Sequence, residues 1–390
     1  MEKIPLLLMF LGHVCVDASQ GILPVALVKL KDLFALSYFQ VGLMTMVLSV
    51  SASVIQPIFG YVSDRMYTGW FIPVGILWAS LTMGLLGWAP NYPLALLLVG
   101  LAGLGTAAFH PRAMMVVYLL SGNRRGLFGA FFFMGGNLGF ALGPTLGSFI
   151  VVGLGLHATP LLILPGAVLF IIITFYAGDF LKRGAMDRTG LRQGRHEEAL
   201  PVPWLSLTAV CLIVTLRSWI YMGFITYLPL YLKSRGVPLK IGGLMLTVYL
   251  VGGAFAGLYG GYVSDRIGRR KVIAASMLLC PLFTALFITG EGVWLWVLAG
   301  ASGAALLASF SVTIILAQEL LPRHLGLASG LVLGLGFGTG GMGTAFSGYL
   351  ADKIGLYGSM WVLALAPILG VVLVALIRQE TPSADNSSPN

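Results

Sequence analysis

Charged residues are scarce in this chain. Asp, Glu, Lys and Arg make up 9% of its 390 residues, whereas hydrophobic residues make up 58%. A soluble domain carries about 25% charged residues because its surface must be hydrated. Together with a mean hydropathy of +0.93, this composition excludes a water-soluble globular protein and indicates a surface covered by lipid.

Cysteine and histidine are also rare, with three and five copies. Cys15, Cys211 and Cys280 each lie within an apolar stretch, so we expect small buried groups and not disulfides or metal ligands. The sequence shows no histidine-rich metal cluster, no pair of catalytic carboxylates at useful spacing and no P-loop. We therefore expect no metal site, no cofactor and no enzymatic activity.

Apolar stretches long enough to span a bilayer as a helix occur twelve times. They cover approximately residues 4–29, 39–63, 71–89, 92–120, 125–152, 158–178, 204–232, 240–264, 271–290, 292–318, 325–351 and 356–378. A polar segment separates the first six from the last six, and the chain ends in a tail rich in Ser, Pro and Asn. We predict an N-terminal half at 1–178, a cytoplasmic linker at 179–203, a C-terminal half at 204–380 and a disordered tail at 381–390.

The basic residues predict the orientation. With both termini in the cytoplasm, the cytoplasmic side carries fifteen Lys and Arg residues and the outer side carries six. Positive charge accumulates on the cytoplasmic side of membrane proteins, so both termini are predicted to lie inside the cell. The two remaining cations, Arg112 and Arg217, fall within membrane helices. Because the positive charge is spread along the membrane edges, no nucleic-acid partner is expected.

The chain contains an internal repeat. The hexapeptide Gly-Tyr-Val-Ser-Asp-Arg occupies residues 60–65 and recurs at 261–266, which is 201 residues later. The same register aligns residues 41–44 with 242–245. Such repeats indicate duplication, and two helical halves related by a parallel repeat are typical of secondary transporters with a central binding site. The predicted fold is an all-α membrane protein of twelve transmembrane helices in two six-helix halves.

The second copy of the hexapeptide continues as a basic loop that resembles the signature loop of the major facilitator superfamily. Its matching residues are Gly261, Asp265, Arg266, Gly268, Arg269 and Arg270, whereas the first copy retains Gly60, Asp64 and Arg65. The resemblance implies the major facilitator fold, with a conformational latch at the cytoplasmic face. The alternative is a basic loop that anchors the protein at the membrane surface.

A glycine series in the fifth helix resembles the antiporter motif of drug–proton exchangers in this superfamily. It consists of Gly139, Gly143, Pro144 and Gly147. Glycines four residues apart let another helix approach closely, and proline removes a backbone hydrogen bond. The alternative is helix packing without a role in coupling.

Further stretches resemble the fosmidomycin-resistance family of efflux transporters, and the resemblance covers nearly the whole chain. They lie at residues 13–17, 20–24, 109–111, 135–137 and 318–322. One position departs from the family, which commonly has an acid after the His-Pro pair where this chain has Arg112.

Asp17 lies in the middle of the first helix, where an ionisable group needs a partner or a water-filled cavity. His13 is four residues away on the same helical face, and Arg112 lies in the fourth helix. We interpret Asp17 and Arg112 as a proton-coupling pair, with His13 and His110 as further proton-coupling groups. An opposite charge and desolvation shift the proton affinity of a carboxylate in opposite directions. The alternative is a static ion pair that joins two helices.

The predicted substrate contacts centre on Arg217 in the seventh helix. Trp219 and Tyr221 are its neighbours, and a guanidinium group binds oxyanions through paired hydrogen bonds. Gln20 and Asn137 are predicted to form hydrogen bonds within the same cavity. The alternative is that Arg217 bonds backbone carbonyls.

These observations predict a proton-coupled efflux antiporter of the bacterial inner membrane. Its expected partners are protons, the lipid bilayer and a small drug-like compound such as a fosmidomycin-like phosphonate, and the superfamily resemblance implies a monomer. The alternative function is a major facilitator importer or exchanger of an organic anion or other small metabolite.

Overall fold

The computed structural model describes residues 3–65, 68–176, 203–321 and 325–377. The predicted linker, apart from Pro203, and the predicted tail lie outside the described residues. Their boundaries stay predictions.

The described chain is built from α-helices. They are α1 (Lys3–Gly21), α2 (Leu23–Phe34), α3 (Tyr38–Ser53), α4 (Gln56–Arg65), α5 (Phe71–Gly84), α6 (Tyr92–Leu120), α7 (Arg125–Gly147), α8 (Ile163–Tyr176), α9 (Trp204–Ser234), α10 (Leu239–Ile267), α11 (Arg269–Thr289), α12 (Trp294–Leu307), α13 (Phe310–Leu320), α14 (Leu325–Leu365) and α15 (Pro367–Ala375). Short 3₁₀ segments cover Leu85–Trp88, Gly122–Arg124 and Leu156–Leu162, and a π segment covers Ser148–Leu154.

Eleven helical stretches of the described residues are long and apolar enough to cross a membrane, and the last of them contains two crossings. Within α14, Gly355 adopts a φ of 79°, which interrupts the helix. Ser359 donates a hydrogen bond of 2.8 Å to the carbonyl of Ser347, although residues twelve apart on a straight helix would be about 18 Å apart. The chain therefore folds back at Gly355, and the twelve predicted helices are confirmed.

The first span differs from its prediction in length and in continuity. It was expected at residues 4–29 but extends from Ile4 to Phe34, with a break at Ile22 between α1 and α2. Pro24 lies in the first turn of α2, and its missing N–H prevents the helical hydrogen-bond pattern from continuing through this point. The second part of the span, α2, includes Lys29 and Lys31.

The two halves, α1–α8 and α9–α15, contact each other toward one end of the bundle. We call the end at which α1 begins and α15 ends the proximal end, and the opposite end the distal end. Across the halves, Thr344 donates to the carbonyl of Gly42 over 2.9 Å, and the hydroxyls of Thr145 and Thr247 lie 2.8 Å apart. These contacts join α3 to α14 and α7 to α10 in the distal part of the bundle.

The repeat places two glycines at equivalent points of this interface. Gly42 and Gly243 are 201 residues apart. A methyl group on Gly42 would overlap the carbonyl oxygen of Thr344, and one on Gly243 would overlap the hydroxyl of Ser148. The repeated stretch that revealed the duplication thus also supplies matching close contacts between the halves.

Toward the proximal end the halves diverge. Val54 is the nearest side chain to Gly338, with its Cγ2 atom 3.9 Å from a Cβ built there. Ile58 and Tyr61 follow Val54 at helical spacing on the way to the proximal end, and the three side chains are 59%, 62% and 55% exposed. The structure therefore has a cleft between its halves that is closed distally and widens proximally.

We expect Gly348→Ala to weaken the distal closure, because the added methyl group would overlap the carbonyl of Tyr38 and the hydroxyl of Tyr227. Overpacking of this kind costs about 1–3 kcal/mol. Gly338→Ala is the matched control on the same helix, since its methyl group has 3.9 Å of room. Thermal unfolding in detergent measures the difference, and equal melting temperatures for the two variants would contradict the described packing.

Candidate functional site

Three protonatable side chains meet between α1 and α6. The Oδ2 atom of Asp17 lies 3.4 Å from Nε2 of His13, and its Oδ1 atom lies 3.5 Å from Nε2 of His110. The side chains of Asp17 and His110 are 18% and 21% exposed, whereas that of His13 is 5% exposed. We call His13, Asp17 and His110 the His–Asp cluster. It is buried against the first half but retains access to solvent.

Backbone carbonyls orient both imidazole rings. Nδ1 of His13 lies 2.8 Å from the carbonyl oxygen of Phe132 in α7, and Nδ1 of His110 lies 3.1 Å from that of Thr106 in its own helix. The two Nε2 atoms are 2.9 Å apart. Both rings therefore direct Nε2 toward each other and toward Asp17.

Glycines in α7 make room for this arrangement. A Cβ atom on Gly136 would overlap Nε2 of His13 and lie 2.8 Å from Oδ2 of Asp17. Among the motif glycines, Gly139 faces the carbonyl of Val14 and Gly143 faces the backbone of Gly21. The predicted antiporter motif therefore packs α7 against α1 at the level of the cluster.

The last two members of the motif contact neighbouring helices. A Cβ atom on Gly147 would lie 3.1 Å from Cβ of Val25, and the carbonyl of Pro144 lies 3.0 Å from a Cβ built on Gly243 in the second half. The contacts fit the packing alternative, and the coupling role of the motif stays a prediction.

The predicted pairing of Asp17 with Arg112 is wrong. Arg112 is buried, and its NH1 group contacts the sulfur of Met115 at 3.1 Å. Residues two apart on an α-helix point about 200° apart, so a helix that directs His110 toward Asp17 directs Arg112 away from it. Asp17 has the two histidines as its neighbours instead.

Arg217 is held within the second half. Its NH1 group donates to the carbonyl of Ser309 at 3.1 Å and to the hydroxyl of Thr313 at 2.8 Å, and its guanidinium lies 4.9 Å from the centre of the Phe310 ring. These contacts match the alternative in which Arg217 bonds a backbone carbonyl. Trp219 is similarly engaged, since its Nε1 donates to Ser347 at 2.8 Å.

Two other predicted substrate contacts lie near the cluster. Gln20, one turn from Asp17 on α1, donates to the hydroxyl of Thr106 at 2.8 Å. Tyr221 of the second half lies within electrostatic range of Asp17 and stacks on Tyr249 at 6.4 Å. Both positions suit a substrate between the halves, although that role stays a prediction.

Asn137 faces the cleft. It precedes Pro144 by seven residues and Ser148 by eleven, so the three positions share one face of the fifth span. Pro144 and Ser148 contact Gly243 of the second half, whereas Asn137 is exposed. Its amide therefore lies where the halves have separated.

The donor atoms of the cluster also lie close enough together to hold a metal ion, a site that the sequence analysis did not expect. Two imidazole nitrogens bound to one tetrahedral zinc ion would lie about 3.3 Å apart. The observed separation of 2.9 Å is an ordinary hydrogen-bond length. The geometry therefore fits a proton between the rings better than a metal ion.

The second copy of the repeated loop forms an ionic network at the proximal end. Arg269 pairs with Asp265 of α10 and, at 3.1 Å, with Glu319 of α13. Gly268, with a φ of 98°, forms the sharp turn between α10 and α11, and Arg266 lies over the ring of Tyr262. The network joins three helices of the second half.

The glycines that open the two hexapeptides have neighbours in their own halves. A Cβ on Gly261 would lie 3.1 Å from the hydroxyl of Ser311, and one on Gly60 would lie 3.8 Å from Cβ of Pro111. The side chains of Asp64 and Arg65 lie outside the described residues. The latch role of these loops, including Arg270, stays a prediction.

The sequence analysis missed a distal clamp between the halves. The carboxylate of Asp352 accepts hydrogen bonds from the backbone N–H groups of Tyr38 at 2.8 Å and Phe39 at 2.9 Å. The Tyr227 hydroxyl lies 2.9 Å from the carbonyl of Tyr38, and Lys233 pairs with Asp32. No sequence signal marks these residues, because an acid near a helix end is common and its partner is more than 300 residues away.

Comparison with known proteins agrees with the architecture. The family model described as Major Facilitator Superfamily matches residues 9–246 and 237–390. The chain is 30% identical to the Fosmidomycin resistance protein of Escherichia coli over 369 residues, which cover 94% of this chain and 91% of that protein. It is 31% identical to the uncharacterized MFS-type transporter YfnC of Bacillus subtilis, covering 95% of this chain and 92% of that protein.

A solved structure shows the same fold. It belongs to a bacterial homolog of the human lysosomal transporter Spinster, has a TM-score of 0.79 and 14% sequence identity, and covers 96% of each chain.

We expect Asp352→Ala to open the distal clamp, because two helix-terminal N–H groups lose a charged acceptor worth about 1.5–3 kcal/mol each. The yield of a disulfide between cysteines placed at Thr145 and Thr247, in a background without native cysteines, measures closure and should fall. Glu291→Ala is the control, since this distal acid is exposed and pairs with Arg235 of its own half. An unchanged yield in Asp352→Ala would exclude the clamp.

We expect Arg217→Ala to lower stability and leave charge selectivity intact. Loss of the guanidinium leaves the buried Thr313 hydroxyl and Ser309 carbonyl without their donor, at about 1–3 kcal/mol. Melting temperature and transport of paired anionic and cationic compounds are the measurements, with exposed Arg124→Ala as the control. A selective loss of anion transport without destabilisation would instead establish Arg217 as an anion contact.

Proposed function

Because the chain belongs to the major facilitator superfamily and is a transporter and not an enzyme, we propose that it is a proton-coupled efflux antiporter of the bacterial inner membrane. It exports a small drug-like compound by alternating access. The name of the Escherichia coli relative supports export of a fosmidomycin-like phosphonate or another antimicrobial compound.

The His–Asp cluster is the observation that carries this proposal. An ionisable group inside a membrane protein is costly and marks a proton or substrate pathway. Imidazole is the side chain whose charge changes most readily near neutral pH, and two of the five histidines lie against the one mid-membrane acid of α1. The coupling group is therefore His13, Asp17 and His110, without Arg112.

The position of the cluster supports coupling to transport. Asp17 and His110 retain partial exposure, and Asn137 and Tyr221 border the same region. A group that binds a proton and borders the space between the halves can respond to a change in that space. Proton binding and substrate binding would thus both take place at the interface between the halves, which moves during transport.

The distribution of basic residues supports a cytoplasmic proximal end. In this orientation the described conformation is closed toward the outside and widens toward the cytoplasm. Alternating access then requires the distal clamp to open while the proximal ends of the halves approach each other. The ionic network around Arg269 lies where such an approach would occur.

Asp17→Asn tests the proposal. In proteoliposomes loaded with fosmidomycin, an imposed pH gradient should drive efflux from the unmodified protein, and this stimulation should be lost in Asp17→Asn because the amide removes the negative charge of the cluster. Glu291→Gln, the exposed distal acid, should retain full stimulation. A response to the pH gradient that survives in Asp17→Asn would refute proton coupling through the cluster.

A susceptibility panel in a pump-deficient host provides the substrate test. Expression of the unmodified chain should raise the inhibitory concentration of fosmidomycin or of another compound on the panel, and Asp17→Asn should not. Accumulation of the compound in the expressing cells would indicate import and would contradict export.

A further inference from the structure

We propose that His13 and His110 share one proton between their Nε2 atoms and that Asp17 is the counter-ion of this pair. The inference concerns the protonation state of the His–Asp cluster in the described conformation. It deepens the proposed function, and its consequence for transport rests on that function.

The Nδ1 atom of each ring, on the side away from the other histidine, faces a backbone carbonyl oxygen. Nδ1 of His13 faces the carbonyl of Phe132 at 2.8 Å, and Nδ1 of His110 faces the carbonyl of Thr106 at 3.1 Å. A carbonyl oxygen accepts hydrogen bonds and cannot donate one. Each Nδ1 must therefore carry a hydrogen.

The Nε2 atoms of the two rings face each other. A neutral imidazole carries one N–H, so two neutral rings with protonated Nδ1 atoms would both present bare lone pairs at Nε2. Those atoms are 2.9 Å apart, where two lone pairs repel each other. One added proton converts the contact into an N–H···N hydrogen bond of normal length.

Asp17 compensates the charge of the protonated imidazole pair. A pair of imidazoles with one added proton carries a single positive charge, and the Asp17 carboxylate lies 3.4 Å and 3.5 Å from the two Nε2 atoms. The cluster is then neutral as a whole. Neutrality matters because an uncompensated charge inside the membrane is costly.

The residues of neighbouring helices that lie near the cluster add no charge to it. On α7, the contacts of the cluster are Phe132, Phe133 and Gly136, which carry no charge. On α9, Tyr221 lies within electrostatic range of Asp17, and a phenol carries no positive charge in either protonation state. Arg112 points away on the opposite face of α6, so among the described residues the positive charge that faces Asp17 is the shared proton.

The consequence is a one-proton step. With the proton bound the cluster has no net charge, and after its release the cluster has a single negative charge from Asp17. A second proton would create a net positive charge. If the proposed antiport is correct, each turnover that empties the cluster releases one proton.

Nuclear magnetic resonance tests the shared proton without reference to transport. The full chain, labelled with nitrogen-15 histidine, is studied in lipid nanodiscs. We expect scalar coupling between the two Nε2 nuclei across the hydrogen bond, and a bound proton on each Nδ1. His110→Gln should lose the coupling, whereas His157→Gln should retain it, because His157 is an exposed residue near the distal end.

The Asp17→Asn variant distinguishes a counter-ion role of Asp17 from a packing role. Asparagine preserves the shape of the side chain but removes its charge, so the protonated pair would become a net positive group. We expect the coupling between the Nε2 nuclei to disappear in this variant at the pH at which the unmodified protein shows it. Coupling that persists with a hydrogen on both Nδ1 atoms would show that Asp17 is not the counter-ion.

Besides an absent coupling, two results would overturn the inference. One is a bare Nδ1 on either ring, which would mean that the rings do not share an added proton. The other is a stoichiometric divalent metal in the purified protein, found by elemental analysis, whose removal by a chelator shifts both Nε2 resonances. Absent coupling together with pH-driven efflux that depends on Asp17 would refute the shared proton alone. Scalar coupling between the Nε2 nuclei, together with efflux that does not respond to the pH gradient, would refute the antiport and leave the shared proton in place.

Discussion

A charge inside a membrane must be paired or hydrogen-bonded by protein groups, because lipid cannot hydrate it. The fold satisfies this constraint separately in each half. Asp17 lies against two histidines of the first half, and Arg217 is bonded to Ser309 and Thr313 of the second. The halves can therefore move relative to each other without breaking the contacts that hold these buried charges. The polar contacts that cross between the halves include hydroxyl–carbonyl and hydroxyl–hydroxyl bonds and a clamp at the distal edge, where water can replace them.

The duplication preserved the packing and not the chemistry. At the repeat offset, Asp17 corresponds to Ser218 and His110 to Ser311. Ser218 lies against Gly336 and Gly340 of α14, much as Asp17 lies against Gly136 of α7. Ser311 donates to the carbonyl of Gly257 at 2.7 Å. Titratable groups thus occupy the equivalent positions of the first half, and small hydroxyl groups occupy those of the second. This difference supports proton binding in one half and a mainly structural role for its counterpart.

Contacts within one helix could be predicted from the sequence. His13 and Asp17 were placed on one face by their spacing of four, and their side chains lie 3.4 Å apart. The prediction for Arg112 failed because it considered which helix carries the residue and not the direction in which its side chain points. His110, two positions earlier, has the orientation that reaches Asp17. The distal clamp could not be predicted, since Asp352 and Tyr38 come together through the packing of distant helices.

The sequence by itself determined the membrane location, the twelve helices, the two halves and the family, because hydrophobic length, repeats and local motifs are properties of consecutive residues. The tertiary structure decided which side chains meet. Helix rotation directed His110 to Asp17 and Arg112 away from it, the close approach of α7 at Gly136 left room for the side chains of His13 and Asp17, and the meeting of the halves created the clamp at Asp352. Each of these depends on the relative rotation and separation of helices, which no local pattern of residues specifies.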